Sequence, residues 1–361
     1  MRRALLLDDP CTCIDSVLSH LGYVQIDPIN VCGRMHDLIL RNRVTGYGEG
    51  DLMRHLHGDA SPLQPADRTA FEHHEPRSNN LVAFPLEAWP YLIGAMERRS
   101  RMTGAWSGKL TPREGTLAKH ILAEIAQRGP LSASAIADDR PARRIWGAST
   151  LVKATLQKLF FHGRVLISQR ISQRRVYDLP ERVLPDRLLS AKAPSPSDTE
   201  RWIVIQKLCQ RRLVALTRDE LRHVGDLVVP IAIDQPSPSA SVPTLYCLNG
   251  DLPWLEFAES GEPKPSGSVR LLAPLDPLIY DRRLTSAVWN FNYTWEAYTP
   301  PHKRIRGYYA LPILSDLEIA GHIDAKADRK AGQFIVVSRR VRRGHRVAAT
   351  AQQFARWLGV R

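Results

Sequence analysis

Apolar residues return at helical spacing through "TPREGTLAKHILAEIAQRG", residues 111–129, where Leu117, Ile121, Leu122 and Ile125 share one stripe. Thr111 and Glu114 form a capping-box pair at its start, and Gly129-Pro130 ends it. "LSASAIADD" predicts a short second helix. "STLVKATLQKLFFHG" predicts a third, with Ser149 as N-cap and Gly163 as the stop. Its buried stripe is Leu151, Val152, Thr155, Leu156, Leu159 and Phe160, while Lys153, Gln157 and Lys158 point away. "RVLISQRISQRRVYDL" then predicts two strands around a tip rich in Arg and Gln. Three helices and a basic hairpin are the elements of a winged helix, placed at 111–190.

The same order recurs more faintly. "DTERWIVIQKLCQRR" predicts a helix capped by Asp198 or Thr199 that buries Trp202, Ile205, Leu208 and Cys209. "TRDELRHVGDL" predicts another, with Thr217 and Glu220 as its capping box, giving a third winged-helix-like module at 196–234. A first module spans 1–110, opening with helices at 2–8 and 12–21. From 244 to 361 the character changes. "VRLLAPLDPLIY", "RGYYALPIL", "EIAGHIDAKAD" and "GQFIVVSRRV" run or alternate apolar between Pro, Gly and Asp turns. They predict a β-barrel-like domain or curled sheet, closed by the helix "AATAQQFARWLG". "SAKAPSPSD" (190–198) and "DQPSPSASVP" (234–243) read as linkers. The expected fold is α+β: tandem winged-helix domains followed by a C-terminal β-barrel-like domain.

Charge points to a partner. The 361 residues carry 50 Lys+Arg against 37 Asp+Glu, a formal net charge of +13. Such a surface suits a polyanion, nucleic acid foremost. Lys153 and Gln157 on the third helix suit phosphates and base edges, and Arg170, Arg174 and Arg175 on the hairpin suit the backbone. The run "SRRVRRGHR" adds to this basic surface. Winged helices also serve as protein scaffolds, so the module alone does not prove DNA contact. No apolar run is long enough to span a membrane. "MRRALLLDDP" opens like a signal peptide but reaches Asp8 after three leucines. Five cysteines without paired CxxC units fit a reducing cytoplasm.

Candidate chemistry is concentrated in "GYVQIDPI", 22–29. With a period of two, Val24 and Ile26 face one side and Tyr23, Gln25 and Asp27 the other, Gln25 and Asp27 about 7 Å apart. Pro28 favours an extended Asp27. Such a pair can bracket a water or a sugar; it can equally be the wet face of a strand. "RMHDLILRNR" follows, presenting Arg34 and His36 as phosphate anchors or helix-surface cations. His73, His74 and Glu75 in "FEHHEP" lack the second histidine of a zinc HExxH helix, since position 78 is Ser. No metal or cofactor is expected. GxxxxGK[ST], Rossmann glycines, GxSxG and the HxE…PCxxC deaminase pattern are all missing.

Taken together, "LGYVQIDPINV", "RMHDLIL", "FEHHEP…FPLEAWP", "RRVYDLPERVLP", "LDPLIYDRR", "GYYALPIL" and "IDAKADRKAG" resemble the YcaQ/AlkZ-type winged-helix DNA glycosylases, in that family's order and over nearly the whole chain. The resemblance implies tandem winged helices joined to a β-barrel-like domain, and excision of alkylated bases and interstrand crosslinks. The family's catalytic signature, Gln, an aliphatic residue, then Asp or Gln, falls on Gln25, Ile26 and Asp27. The Asp form resembles the branch associated with unhooking crosslinks. Lys326, Arg329 and Lys330 in "DAKADRK", with Arg34 and His36, are further candidate DNA contacts. "FEHHEP" is shorter than its counterparts, and "RSNNLVAF" stands inserted before "PLEAWP".

The implied partner is double-stranded DNA carrying alkylated or crosslinked bases, met by a monomer in the cytoplasm at the nucleoid. The rival reading is a non-enzymatic winged-helix transcriptional regulator. It accounts for the charge and the wing, but not for a carboxylate presented within a basic surface.

Overall fold

A computed structural model describes residues 1–138, 140–145, 148–233, 244–259 and 267–361. The chain forms two compact units, Met1–Asp51 with Ile203–Arg361, and Leu52–Trp202. In chain order the first unit begins with α1 (Ile14–Leu21), β1 (Val24–Gln25) and α2 (Met35–Leu40). There follow α3 (Asp51–His57), β2 (Ala70–His74), β3 (Leu81–Pro85), α4 (Trp89–Arg101), α5 (Pro112–Arg128) and β4 (Leu131–Ser132). Next come β5 (Pro141–Ile145), β6 (Ala148–Thr150), α6 (Leu151–Phe161), β7 (Leu166–Ile171), β8 (Arg174–Asp178) and α7 (Asp186–Leu189). The unit boundary falls within α8 (Pro196–Arg211). The first unit resumes with β9 (Val214–Ala215), α9 (Arg218–Val224), β10 (Val228–Ile231), β11 (Leu245–Leu248) and α10 (Leu252–Glu259). It ends with β12 (Val269–Leu271), α11 (Arg282–Trp289), β13 (Ala310–Ser315), β14 (Glu318–Asp328), β15 (Gln333–Val341) and α12 (Ala348–Trp357).

In the unit 52–202, α5 starts on a complete capping box: the Thr111 side chain accepts from Glu114 N–H, and Glu114 accepts from Thr111 N–H at 2.7 Å. α6 is capped by Thr150, not Ser149. The stop is as expected, with Gly163 in the left-handed region just after the helix. β4, β8 and β7 form one antiparallel sheet in that order. The β7–β8 turn has positive φ at Ser172 and Gln173, as a tight hairpin demands. Among its described residues, "LSASAIADD" gives β4 and one 3-10 turn, Ala133–Ala135, in place of the expected helix.

Elsewhere, residues 2–8 form turns rather than a helix, with Leu6 at positive φ. The cap of α8 is Ser195, whose hydroxyl accepts from Asp198 N–H at 3.1 Å, so neither Asp198 nor Thr199 fills that role. The Thr217–Glu220 box is present on α9. The linker at 190–198 runs into α8, and the one at 234–243 lies outside the described residues.

β12, β13, β14 and β15 form a single antiparallel meander, open at both edges, so among the described residues no barrel closes. The physical reason is in the last strand. β13 is buried throughout, while β15 is largely exposed and carries Arg339 and Arg340, a charged edge that discourages further pairing. Tyr309, Leu311, Ile313, Ile319 and Phe354 are buried here. Among the described residues no helix is long and apolar enough to cross a membrane.

Candidate active site

The signature is delivered by a sharp exit from α1. Gly22, at φ +80, turns the chain out of the helix, a conformation glycine adopts without a Cβ penalty. The end of α8 then holds the segment: Gln210 Nε2 donates to the Tyr23 carbonyl at 2.7 Å, and Arg212 to the His20 carbonyl at 2.6 Å. Val24 and Ile26 are buried and Tyr23 and Gln25 half-buried, as the alternation predicts. At Asp27 the alternation fails. β1 ends at Gln25, and Asp27 is only 8% exposed. Its Oδ1 accepts the Ile29 N–H at 2.8 Å, so the side chain closes its own turn. The open strand face expected for Gln25 and Asp27 is thus corrected: Asp27 is folded inward.

The loop after Asp27 is stapled to the C-terminal sheet. Ala327 N–H donates to the Val31 carbonyl at 2.9 Å, and the Tyr309 hydroxyl to the Gly33 carbonyl at 3.1 Å. Burial raises the Asp27 carboxyl above its ordinary value, against the opposing pull of the Ile29 bond. Its charge is felt by two tyrosines. Tyr298 is raised first by burial and then by Asp27; Tyr309 is raised well above the usual phenol range by burial, then Cys32, then Asp27. Trp295 lies edge-on to both, at 5.6 Å from Tyr298 and 6.1 Å from Tyr309. Glu296 pins this loop, accepting backbone N–H groups of Ile305 at 3.0 Å, Arg306 at 2.8 Å and Gly307 at 3.1 Å. Tyr298 itself is 67% exposed. Sequence reasoning missed these aromatics; their one signal was the density of rings in "WNFNYTWEAY".

The other candidates divide into groups. Arg34 is half-buried at the start of α2; His36 is buried, its Nε2 3.6 Å from Asp37 Oδ2, and is not a helix-surface cation. Lys326, Arg329 and Lys330 are exposed near the β14–β15 turn, Arg329 paired with Glu49 at 2.6 Å. Lys153, Gln157 and Arg174 line one cleft in the unit 52–202. Two cations are structural instead. Lys158 is buried and donates to Glu114 at 2.8 Å, so it does not point outward. Arg170 is bonded through Nε (2.7 Å) and Nη2 to Glu72, a fully buried carboxylate that His57 also meets at 2.7 Å. Burial opposes the Glu72 charge, but Arg170 and then His57 hold it well below the usual carboxylate range.

Arg170→Ala strands that charge, and loss of one partner of a buried pair costs about 3–5 kcal/mol. We expect a matching fall in chemical-denaturation stability. Weaker DNA binding with unchanged stability would instead make Arg170 a surface contact.

His73 and His74 are occupied by carbonyls: His73 Nε2–H donates to Phe160 at 2.8 Å and His74 Nδ1–H to Asn79 at 2.8 Å. Among the described residues no three His, Cys, Asp or Glu side chains are grouped to hold a metal.

The site is therefore a buried carboxylate with a raised pKa, an amide two residues before it, and an exposed aromatic loop in its field. Comparison with known proteins identifies the fold and the family. The structure is similar to that of the Streptomyces sahachiroi DNA glycosylase AlkZ, with TM-score 0.60 and 18% identity, covering 99% of this chain and 95% of that one. That likeness shows the fold. The sequence matches the family described as DNA glycosylase AlkZ-like over residues 18–359. The chain belongs to the AlkZ-like DNA glycosylase family.

Proposed function

We propose that this protein excises N7-alkylated guanine from duplex DNA and unhooks crosslinks joined through such bases, with Asp27 and Gln25 as its catalytic pair. Family membership supports DNA glycosylase activity and a DNA substrate. The observation that carries the finer reading is Asp27: a carboxylate kept nearly out of water beside an exposed aromatic loop.

Alkylation at N7 gives guanine a positive charge, so it leaves without a strong general acid. The bond then breaks toward an oxocarbenium-like sugar. A carboxylate stabilises that cation and takes a proton from the attacking water. Asp27 fills this role, and the Gln25 amide, which is no base at neutral pH, positions the water or sugar. No lysine stands beside the signature in the sequence, which favours water over a Schiff base. The enzyme is then a monofunctional hydrolase. A crosslinked base is tethered to the opposite strand and cannot be fully flipped. A half-exposed Gln25 and an exposed Tyr298 suit a base read at the surface.

Tyr298 offers a π face to the cationic base. Tyr298→Ala is expected to weaken binding of N7-methylguanine DNA about 2–30-fold, the range of a cation–π contact, while Tyr298→Phe keeps it. Equal losses on undamaged DNA would make Tyr298 a general contact instead.

We read 1–110 as a first winged-helix-like domain, α5, the 3-10 turn, α6 and the β7–β8 hairpin as a second winged helix at 111–190, α8 and α9 as part of a third at 196–234, and 244–361 as the C-terminal domain. The second of these brings Lys153, Gln157 and Arg174 to duplex DNA. Arg34, His36, Lys326, Arg329 and Lys330 belong to the unit that carries Asp27.

The test is incubation with duplexes carrying one N7-methylguanine or one N7–N7 crosslink. Free base and separated strands are expected, with abasic sites left uncut until alkali is added and no borohydride-stable adduct. Tight binding with no base release favours the regulator.

A further inference from the structure

The unit 52–202 contains an open cleft of about 570 Å³. That is a volume typical of small-ligand sites. Part of its lining is aromatic. His74 stacks on Phe161 with ring centroids 3.7 Å apart, and Trp106 stands edge-on to His74 at 5.5 Å. The His74 Nδ1–H is committed to the Asn79 carbonyl. Its Nε2 is therefore a lone-pair acceptor, and this atom is buried with no hydrogen-bond partner. The Trp106 Nε1–H is a donor in the same condition. Burying unpaired polar atoms is unfavourable, so both call for a ligand group. Burial first, and then the neighbouring His73, hold the His74 imidazole neutral at physiological pH, which keeps the acceptor available.

Much of the rest of the lining is polar and basic. Lys153 comes from α6, Arg174 and Arg175 from β8, and no carboxylate is among the described lining residues. Ser132 and Ser134 add hydroxyls, 3.0 Å from one another. The lining thus offers rings with a donor and an acceptor, which suits the edge of a nucleobase. The same lining offers three cations, Arg175 lying 5.6 Å over the Phe160 ring beside His74, and these suit a phosphate.

We infer that this cleft is a nucleotide-binding site, holding a base against Trp106 and His74 and its phosphate at Lys153, Arg174 and Arg175. The nucleotide is either free or one unit of a DNA strand; the chemistry of recognition is the same. This goes beyond the glycosylase reading, since no step at Asp27 enters it.

The test is calorimetric titration of the full chain with dGMP, inorganic phosphate and a 5′-phosphorylated single-stranded oligonucleotide. Saturable binding of dGMP is expected for a free-nucleotide site, and binding of the oligonucleotide alone for a strand site. In either case Arg174→Ala with Arg175→Ala weakens the binding at least tenfold. Trp106→Phe keeps the ring and removes the donor; it weakens the base-bearing ligand severalfold and leaves phosphate unchanged. Thermal unfolding of each variant at the wild-type temperature separates lost binding from lost fold. Titrations in which neither ligand responds to these substitutions overturn the assignment. Repeating them on Asp27→Asn keeps this result independent of the excision assay.

Discussion

Asp27→Asn is expected to slow base release about 10²–10⁴-fold, the range of general-base assistance, while DNA binding stays at the wild-type level. Asparagine is nearly isosteric, and its Oδ1 can still accept the Ile29 N–H that closes the turn. Under the proposed mechanism it loses the charge that stabilises the sugar cation. Gln25→Ala is expected to lose less, since it removes a positioning amide and not the base. The pH dependence follows from burial, which raises the Asp27 carboxyl. Only the ionised form works, so activity falls as pH drops through a value above the ordinary aspartate pKa of about 3.9. The stability sign is opposite. A raised folded-state pKa means the fold holds the proton more tightly than the unfolded chain, so Asp27 lowers stability as pH rises from its unfolded pKa through its folded one. At neutral pH the Asn variant is therefore expected to be as stable as wild type or more so. Chemical denaturation beside single-turnover kinetics reads both effects. A variant both inactive and less stable would make Asp27 a structural residue.

The largest stability effect is expected at Arg43. Its guanidinium is fully buried and grips Asp276 by two bonds, 2.8 and 2.7 Å. Its remaining donors reach the Leu5 carbonyl at 2.9 Å and the Ile39 carbonyl at 3.0 Å. This one side chain thus joins the N-terminal turns and α2 to the loop before α11. Arg43→Ala leaves the Asp276 charge buried and unpaired, a loss of about 3–5 kcal/mol against a typical total of about 5–15. Arg43→Lys does not restore the two-pronged geometry. Replacing both partners by apolar residues is expected to recover part of the loss, although Asp276 also accepts the Leu278 N–H at 3.0 Å. Urea midpoints for the single and double variants measure this. A loss below about 1 kcal/mol for Arg43→Ala would mean that Asp276 finds solvent or another partner.

How much of this was legible in the chain depended on the range of the interaction. Local devices read well: the two capping boxes, the Gly163 stop, and the four C-terminal strands with their closing helix all lie where their residue patterns put them. Pairings across long separations did not. Lys158 and Arg170 looked like surface cations because their carboxylates, Glu114 and Glu72, lie 44 and 98 residues away. Residues 2–8 were read as helical because apolar content alone cannot tell a packed turn from a helix. Barrel closure is a property of edges, and strand patterns do not show whether two edges meet. In the site, the alternation held as far as Ile26 and failed at Asp27, because the Asx turn to Ile29 outweighs strand geometry. The Trp295–Tyr298 loop follows no period. It is built by Glu296 and three backbone N–H groups, which no window of sequence reveals.

The most direct test is single-turnover release of N7-methylguanine from duplex DNA by wild type and Asp27→Asn, at enzyme concentrations where both saturate the duplex. Rapid release by wild type and a loss of at least about 10²-fold in the variant are the expected result. Equal rates for the two, or no release by wild type from DNA it binds, would contradict it.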